Sequence, residues 1–190
     1  MYAVRCTLYD FDPMYRLLPI CLFALLAACQ ETAPPREAVP VAEDSTFLTG
    51  TFFVVRHAAN YPGFDSTLTP EGQCQAGALA RLLRDSAIDK IYFTHFKRSI
   101  ATADSLRAAL HTDTVFFNAD SSGESLLYEL TRHGDWGKRV LVIGHRPALL
   151  PMLRSFKARP PVDSVPENVY DELFTVYKKQ DTVLCTVKTY

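Results

Sequence analysis

The sequence predicts a layered α/β domain: a mostly parallel central sheet flanked by helices. Three observations predict it. Short β-branched and aromatic runs alternate with helical periodicity through residues 47–190, the pattern of strand–helix–strand units. That stretch is long enough to bury one core. The chain of 190 residues is 48% hydrophobic and 22% charged, near globular averages, which excludes a disordered chain, a collagen-like fibre and a polytopic membrane protein.

Thr51-Phe52-Phe53-Val54-Val55 reads as the first strand. Pro70 opens a helix, at the favoured first-turn position, and Glu71 to Arg84 carries Ala76, Leu79, Ala80, Leu82 and Leu83 on roughly one face. Ile91-Tyr92-Phe93 is the second strand. Ser99 to Leu110 is a second helix, with Ile100, Ala103, Leu106 and Leu110 at helical spacing. Val115-Phe116-Phe117 is a third strand, Ser125 to Arg132 a third helix and Val140 to Ile143 a fourth strand. Pro147 starts a fourth helix through Phe156. A loop with Pro160, Pro161 and Pro166 leads to two late strands near Leu173–Tyr177 and Val183–Val187. No internal repeat interrupts this order.

The first 46 residues read differently. Leu17 to Ala28 is an apolar run of 12 residues, short of the ~20 needed to span a bilayer. It fits the h-region of an export signal (residues 1–28), with Arg16 as its basic n-region. Asp10 and Asp12 are unusual ahead of such a signal and point to translation from Met14, with 1–13 a mis-assigned start. Leu26-Ala27-Ala28-Cys29 resembles the lipobox of bacterial lipoproteins, which implies lipidation at Cys29. Gln30 to Thr46, with Pro34, Pro35 and Pro40, reads as a tether that reaches at most about 55–60 Å. By resemblance to lipoprotein sorting, Gln30 favours the outer membrane, so the expectation is an exported, membrane-anchored protein.

Lysines and arginines number 20 against 21 acids, and that balance argues against nucleic-acid binding. Five cysteines are too few for a disulfide scaffold. Cys74 and Cys185 are the two in the domain, and they read as separate buried thiols or, after export, as a disulfide.

The most informative feature is the placement of two histidines. His57 follows the strand Val54-Val55-Arg56 and His145 follows Leu141-Val142-Ile143-Gly144. Ligands in open parallel sheets bind outside the carboxyl ends of the strands, so both imidazoles meet at one edge if their strands are neighbours. Arg56 stands beside the first. Arg98 opens the second helix, where free N–H groups favour an anion. Two arginines, two histidines and a helix N-terminus describe a phosphate pocket, because guanidinium forks bind phosphate oxygens bidentately.

Arg56-His57-Ala58 resembles the Arg-His-Gly signature of the histidine phosphatase superfamily, the phosphoglycerate-mutase-like enzymes. The match continues through Leu68-Thr69-Pro70-Glu71-Gly72 with Gln75-Ala76, then Tyr92-Phe93-Thr94 with Arg98 and Thr102-Ala103, then Val140 to Gly144-His145. Tyr170-Asp171-Glu172-Leu173-Phe174 looks like the tail of small bacterial members. The resemblance implies a metal-independent phosphomonoesterase with no cofactor. His57 would attack phosphorus and carry a phosphohistidine that water then hydrolyses. Arg56, Arg98 and His145 would hold the phosphoryl oxygens and offset transition-state charge. Glu124 stands at the distance where mutase-like members carry the acid that protonates the leaving oxygen, with Glu129 and Asp120 as rivals. The family often has Ser-Asn or Asn-Pro after the second histidine; Arg146-Pro147 stands here, and Arg146 is an added substrate-binding candidate.

Short connections, apart from about 18 residues between Lys157 and Phe174, imply an open pocket. It suits a phosphorylated small molecule or phosphoprotein better than mutase chemistry, which must exclude water. The competing reading is a lipid-anchored module that binds a phospho-ligand without turnover, since fold does not settle activity. A zinc site from His57, His95 and His145 lacks a His-Glu-x-x-His or carboxylate pattern. His95 reads as exposed loop, His111 and His133 as helix-end residues, and Trp136 as loop packing.

Overall fold

The structure, a computed structural model, describes residues 48–190. The predicted export signal, Cys29 and the tether lie outside them. The described elements run in the order β1 (Gly50–Arg56), α1 (Pro70–Leu83), β2 (Lys90–Phe93), α2 (Lys97–Leu110), β3 (Asp113–Phe116), α3 (Glu124–Arg132), β4 (Arg139–Gly144), α4 (Arg146–Ser155), β5 (Glu172–Lys179) and β6 (Thr182–Thr189). The alternation predicted from sequence is the alternation observed, with boundaries moved by a few residues.

The six strands form one sheet in the order β3-β2-β4-β1-β5-β6. The first four in that order are mutually parallel, and β5 and β6 add an antiparallel hairpin beside β1. The predicted layered α/β architecture with a mostly parallel sheet is therefore the architecture present. The central strands read as near-continuous apolar runs because both faces are covered. Phe52, Val54, Val140 and Val142 pack with Leu126 and Leu130 of α3 and Leu149, Met152 and Leu153 of α4. On the other face Phe53, Val55, Leu141 and Ile143 pack with Leu79 and Leu83 of α1 and Ala103 and Leu106 of α2.

Helix starts follow local chemistry. Thr69 caps α1 by accepting from the Gly72 N–H at 3.0 Å, and Pro70 occupies the first turn. Gly72 itself serves close approach: a Cβ there would sit 1.9 Å from the Ala59 carbonyl oxygen. At α3, Gly123 adopts a left-handed φ of 80°, and both carboxylate oxygens of Asp120 gather N–H groups of Ser122, Gly123 and Ser125.

The third strand begins earlier than its apolar run predicts. Asp113 and Thr114 join the edge ladder with Lys90 and Ile91, whereas Phe117 turns inward and is buried. The cysteine expectation needs correction. Cys74 is exposed and Cys185 half-buried, and both are free thiols. Cys74 lies on the solvent side of α1, and Cys185 on β6.

A polar network was not legible in the sequence. Asp135 is fully buried yet contacts Lys90 at 3.1 Å, Lys138 at 2.6 Å and the Tyr92 hydroxyl. Burial alone would raise its pKa, but hydrogen bonds from Lys138, Tyr92 and Lys90 hold it below the ordinary carboxylate range.

Candidate functional site

β1 and β4 lie side by side, with Arg56 opposite Gly144. The chain after each strand continues together: the His57 N–H donates to the Gly144 carbonyl at 3.0 Å. The imidazoles of His57 and His145 consequently stand with ring centroids 5.2 Å apart. Between and around them is an open cavity of about 450 Å³ lined by Arg56, His57, Phe96, Arg98, His145 and Arg146, with Glu167 and Tyr170 on its far wall. The structure thus brings the five predicted phosphate-site residues to one cavity at the carboxyl edge of the sheet.

His57 is held as one tautomer. Its Nδ1–H donates to the Ala58 carbonyl at 3.0 Å, which leaves the lone pair on Nε2. Burial pushes its pKa down to about 3, helped by the charges of His145, Arg98 and Arg56 and opposed by the Ala58 bond. The ring is neutral at neutral pH, as a nucleophile requires. The following residues are pinned by the helices. Ala58 N–H donates to Thr102 Oγ1 at 2.9 Å, Ala59 N–H donates to Gln75 Oε1 at 2.9 Å, and the Ala59 carbonyl accepts from Thr69 N–H at 3.0 Å. These contacts give Thr69, Gly72, Gln75 and Thr102 a physical reason to sit where they do: they fix the turn that presents His57.

His145 is oriented from both ring nitrogens. Arg98 Nη2 donates to Nδ1 at 3.4 Å, so Nε2 carries the hydrogen and donates to Thr94 Oγ1 at 2.9 Å. Thr94 Oγ1 and Ser99 Oγ share the next hydrogen bond at 2.8 Å. Burial, then Arg98 and Arg56, push His145 down to about 4.

The two arginines are both anchored. Arg98, in the first turn of α2, donates through Nη1 to the Phe64 carbonyl at 2.7 Å and lies over the Phe96 ring at 4.3 Å. Asp65 accepts from the Lys97 N–H at 2.7 Å, so the loop before α1 is tied to the start of α2. Arg56 donates through Nη1 to the carbonyls of Glu167 and Val169 at 2.6 and 3.0 Å, and its guanidinium stacks on Tyr170 at 3.7 Å. Its buried Nε has no hydrogen-bond partner among the described residues. Burial lowers the Arg56 pKa, Tyr170 and Glu167 counter this, and Arg146 and Arg98 reinforce it. Arg146 is exposed at the mouth, in the first turn of α4.

The predicted acid does not join this group. Glu124 is exposed, opens α3 and is absent from the cavity lining. The reason is the Asp120 turn: by capping α3, Asp120 starts that helix to the side of the cavity. Asp120 lies nearer, in a small adjoining cavity with Ser121, His145 and Pro147, but its two oxygens are occupied by the cap. Glu129 pairs with Arg132 and His133 at 3.4 Å each. The acidic residue that does line the cavity is Glu167, from the loop with three prolines, whose backbone carbonyl accepts from Arg56. Sequence reasoning missed it, because a glutamate in a polar loop carries no periodic or motif signal. Tyr170 stood within the family-like tail, and its stacking role under Arg56 was not legible.

The other histidines lie elsewhere. His95 is exposed and stacks on Phe116 at 4.3 Å, apart from His57 and His145. His111 follows α2 in the left-handed region, and His133 follows α3. Trp136 packs on Phe52 and donates to Thr131 Oγ1. A cavity of about 530 Å³ beside Lys157, Arg159 and Lys178 contains none of the site residues.

Residues 53–118 match the family model described as the histidine phosphatase superfamily, branch 1. No curated protein matches the chain. Solved structures of similar fold include the protein histidine phosphatase SixA complexed with tungstate, 16% identical, with 73% of this chain and 96% of that one covered at a TM-score of 0.58. Bacillus stearothermophilus YhfR is 17% identical, with 73% and 96% covered at 0.55. The mycobacterial glucosyl-3-phosphoglycerate phosphatase with VO3 is 12% identical, with 74% and 98% covered at 0.54. At these identities the likeness is one of fold. The sequence match over residues 53–118, and the likeness of fold around it, make the described domain similar to the histidine phosphatase superfamily, branch 1.

Proposed function

We propose that this chain is a phosphomonoesterase that transfers a phosphoryl group to His57 and then to water. The observation that carries the reading is the neutral His57 ring, with its Nε2 lone pair free, in a cavity lined by three guanidinium groups. Nε2 attacks phosphorus, the bond to the leaving oxygen breaks, and the phosphoryl group resides on His57. Arg56, Arg98 and His145 hold its oxygens. Arg146 adds positive charge at the entrance. Stabilising the spread negative charge is the main contribution a protein makes to phosphoryl transfer. The reaction written this way needs no metal, and a water molecule attacks the phosphohistidine to release phosphate. Glu167 takes the place that Glu124 held in the sequence reading, as the acidic residue of the cavity lining.

The test is hydrolysis of p-nitrophenyl phosphate by the full chain and by His57→Ala. The proposal expects turnover in the first and loss of at least a thousandfold in the second. Equal residual turnover in both would overturn it. One observation favours the binding-module alternative: none of Glu124, Asp120 and Glu129 lines the cavity. Phosphate binding with no turnover in the unaltered chain would select that alternative.

We further propose that the domain is exported and lipid-anchored through Cys29, on the strength of the apolar run and the Leu26-Ala27-Ala28-Cys29 segment. Cys29→Ser should move the protein from the membrane fraction to the soluble fraction. Unchanged membrane partition would count against the anchor.

A further inference from the structure

The mouth of the cavity is aromatic as well as cationic. Phe96 packs edge-on against the His145 ring at 4.8 Å. Phe64 packs on Phe96 at 5.4 Å and is itself 86% exposed. These contacts form a path of rings leading from the catalytic edge out to solvent. The path is held rigid: Arg98 donates to the Phe64 carbonyl, and Asp65 is tied to the start of α2. A solvated phenylalanine on a fixed loop costs hydrophobic free energy that an apolar ligand would recover. Its place beside an anion pocket suggests that the ligand bears both a phosphoryl group and a ring.

A second observation concerns the leaving group. The predicted acids lie outside the cavity, and Glu167 is on the wall that holds Arg56. With an exposed Glu167 as the acidic residue in its lining, the site favours a leaving oxygen that needs little protonation. Phenols, with pKa near 10, do so far more readily than aliphatic alcohols.

We propose that the substrate is an aryl phosphomonoester, whose ring stacks on Phe64 and Phe96 while its phosphoryl group sits between His57 and His145. This rests on the phosphatase reading and names the substrate class for it. Phe64 is the specificity-determining residue. Offset or edge-on ring pairing gives the ring a roughly two- to tenfold affinity gain beyond area burial.

The test separates binding from turnover by using phosphonates, which cannot be hydrolysed. Calorimetric titration of the full chain with phenylphosphonate and with methylphosphonate should show several-fold tighter binding of the former. Phe64→Ala should bring the ratio towards one, and Phe64→Trp should restore it. The exposure of Phe64 makes both variants safe for folding. Equal affinities in the unaltered chain, or a ratio indifferent to Phe64→Ala, would overturn the aryl assignment and leave the phosphate pocket standing. Binding of neither phosphonate would overturn both readings together.

Discussion

An oxyanion entering this site should bring a proton with it, and His145 should be the group that takes it. In the unliganded chain His145 Nδ1 accepts from Arg98 and its Nε2 hydrogen goes to Thr94. The ring therefore has no hydrogen to offer an anion on its Arg98 side until it is protonated. Its pKa is held down to about 4 by burial and by the two guanidinium groups. A negative charge about 4 Å away, at an effective permittivity near 20, contributes about 4 kcal/mol. That raises the imidazole by about three pH units, to about 7. His57 starts lower, at about 3, so it takes the smaller share. The sign follows: between about pH 4 and 7 the bound state holds more protons than the free state, so anion affinity weakens as pH rises through that window and levels off above it. Sulfate is a suitable probe because it remains a dianion throughout this range. Titration calorimetry at about pH 5.5, midway between the free and bound values, in buffers of different ionisation enthalpy, should report uptake close to one proton per sulfate. His145→Gln should remove most of it. Heat signals independent of buffer, or undiminished uptake in the variant, would refute the reasoning.

Two further substitutions probe the scaffold. Gly72→Ala places a Cβ against the Ala59 carbonyl and should displace the turn that presents His57. It is expected to lower kcat at least tenfold, because misplacement by about 1 Å costs that much or more; unchanged kcat would deny the turn its positioning role. Asp135→Ala leaves Lys90, Lys138 and the Tyr92 hydroxyl without their shared acceptor. Chemical denaturation should report a loss of about 3 kcal/mol, and a change under 1 kcal/mol would show that the network is replaced by water.

The parts of the site legible in the sequence are those set by strand register. Val54-Val55 and Leu141-Val142-Ile143 are apolar on both faces, which marks central parallel strands, and His57 and His145 follow them directly. Once the strands are neighbours, the rings must meet. Arg98 was legible because a helix start can be read from periodicity. What the sequence hid was decided by loops. Glu167 and Tyr170 reach the cavity only because Arg56 draws their segment in through two carbonyls and a stacked ring. Glu124 is kept out because Asp120 spends its oxygens on N–H groups of its own turn. Spacing along the chain carries no information about either event. The free thiols follow the same logic: Cys74 sits within an apolar helical pattern, but on its exposed side.

The most direct measurement is the chemical identity of the phosphorylated residue. Mixing the full chain in excess over radiolabelled substrate, denaturing within milliseconds in alkali and mapping the peptides should recover label on His57. The Nδ1–H bond to the Ala58 carbonyl predicts attachment at Nε2. Label on His145, attachment at Nδ1, or no labelled histidine while product forms would contradict the assignment of His57 as the nucleophile.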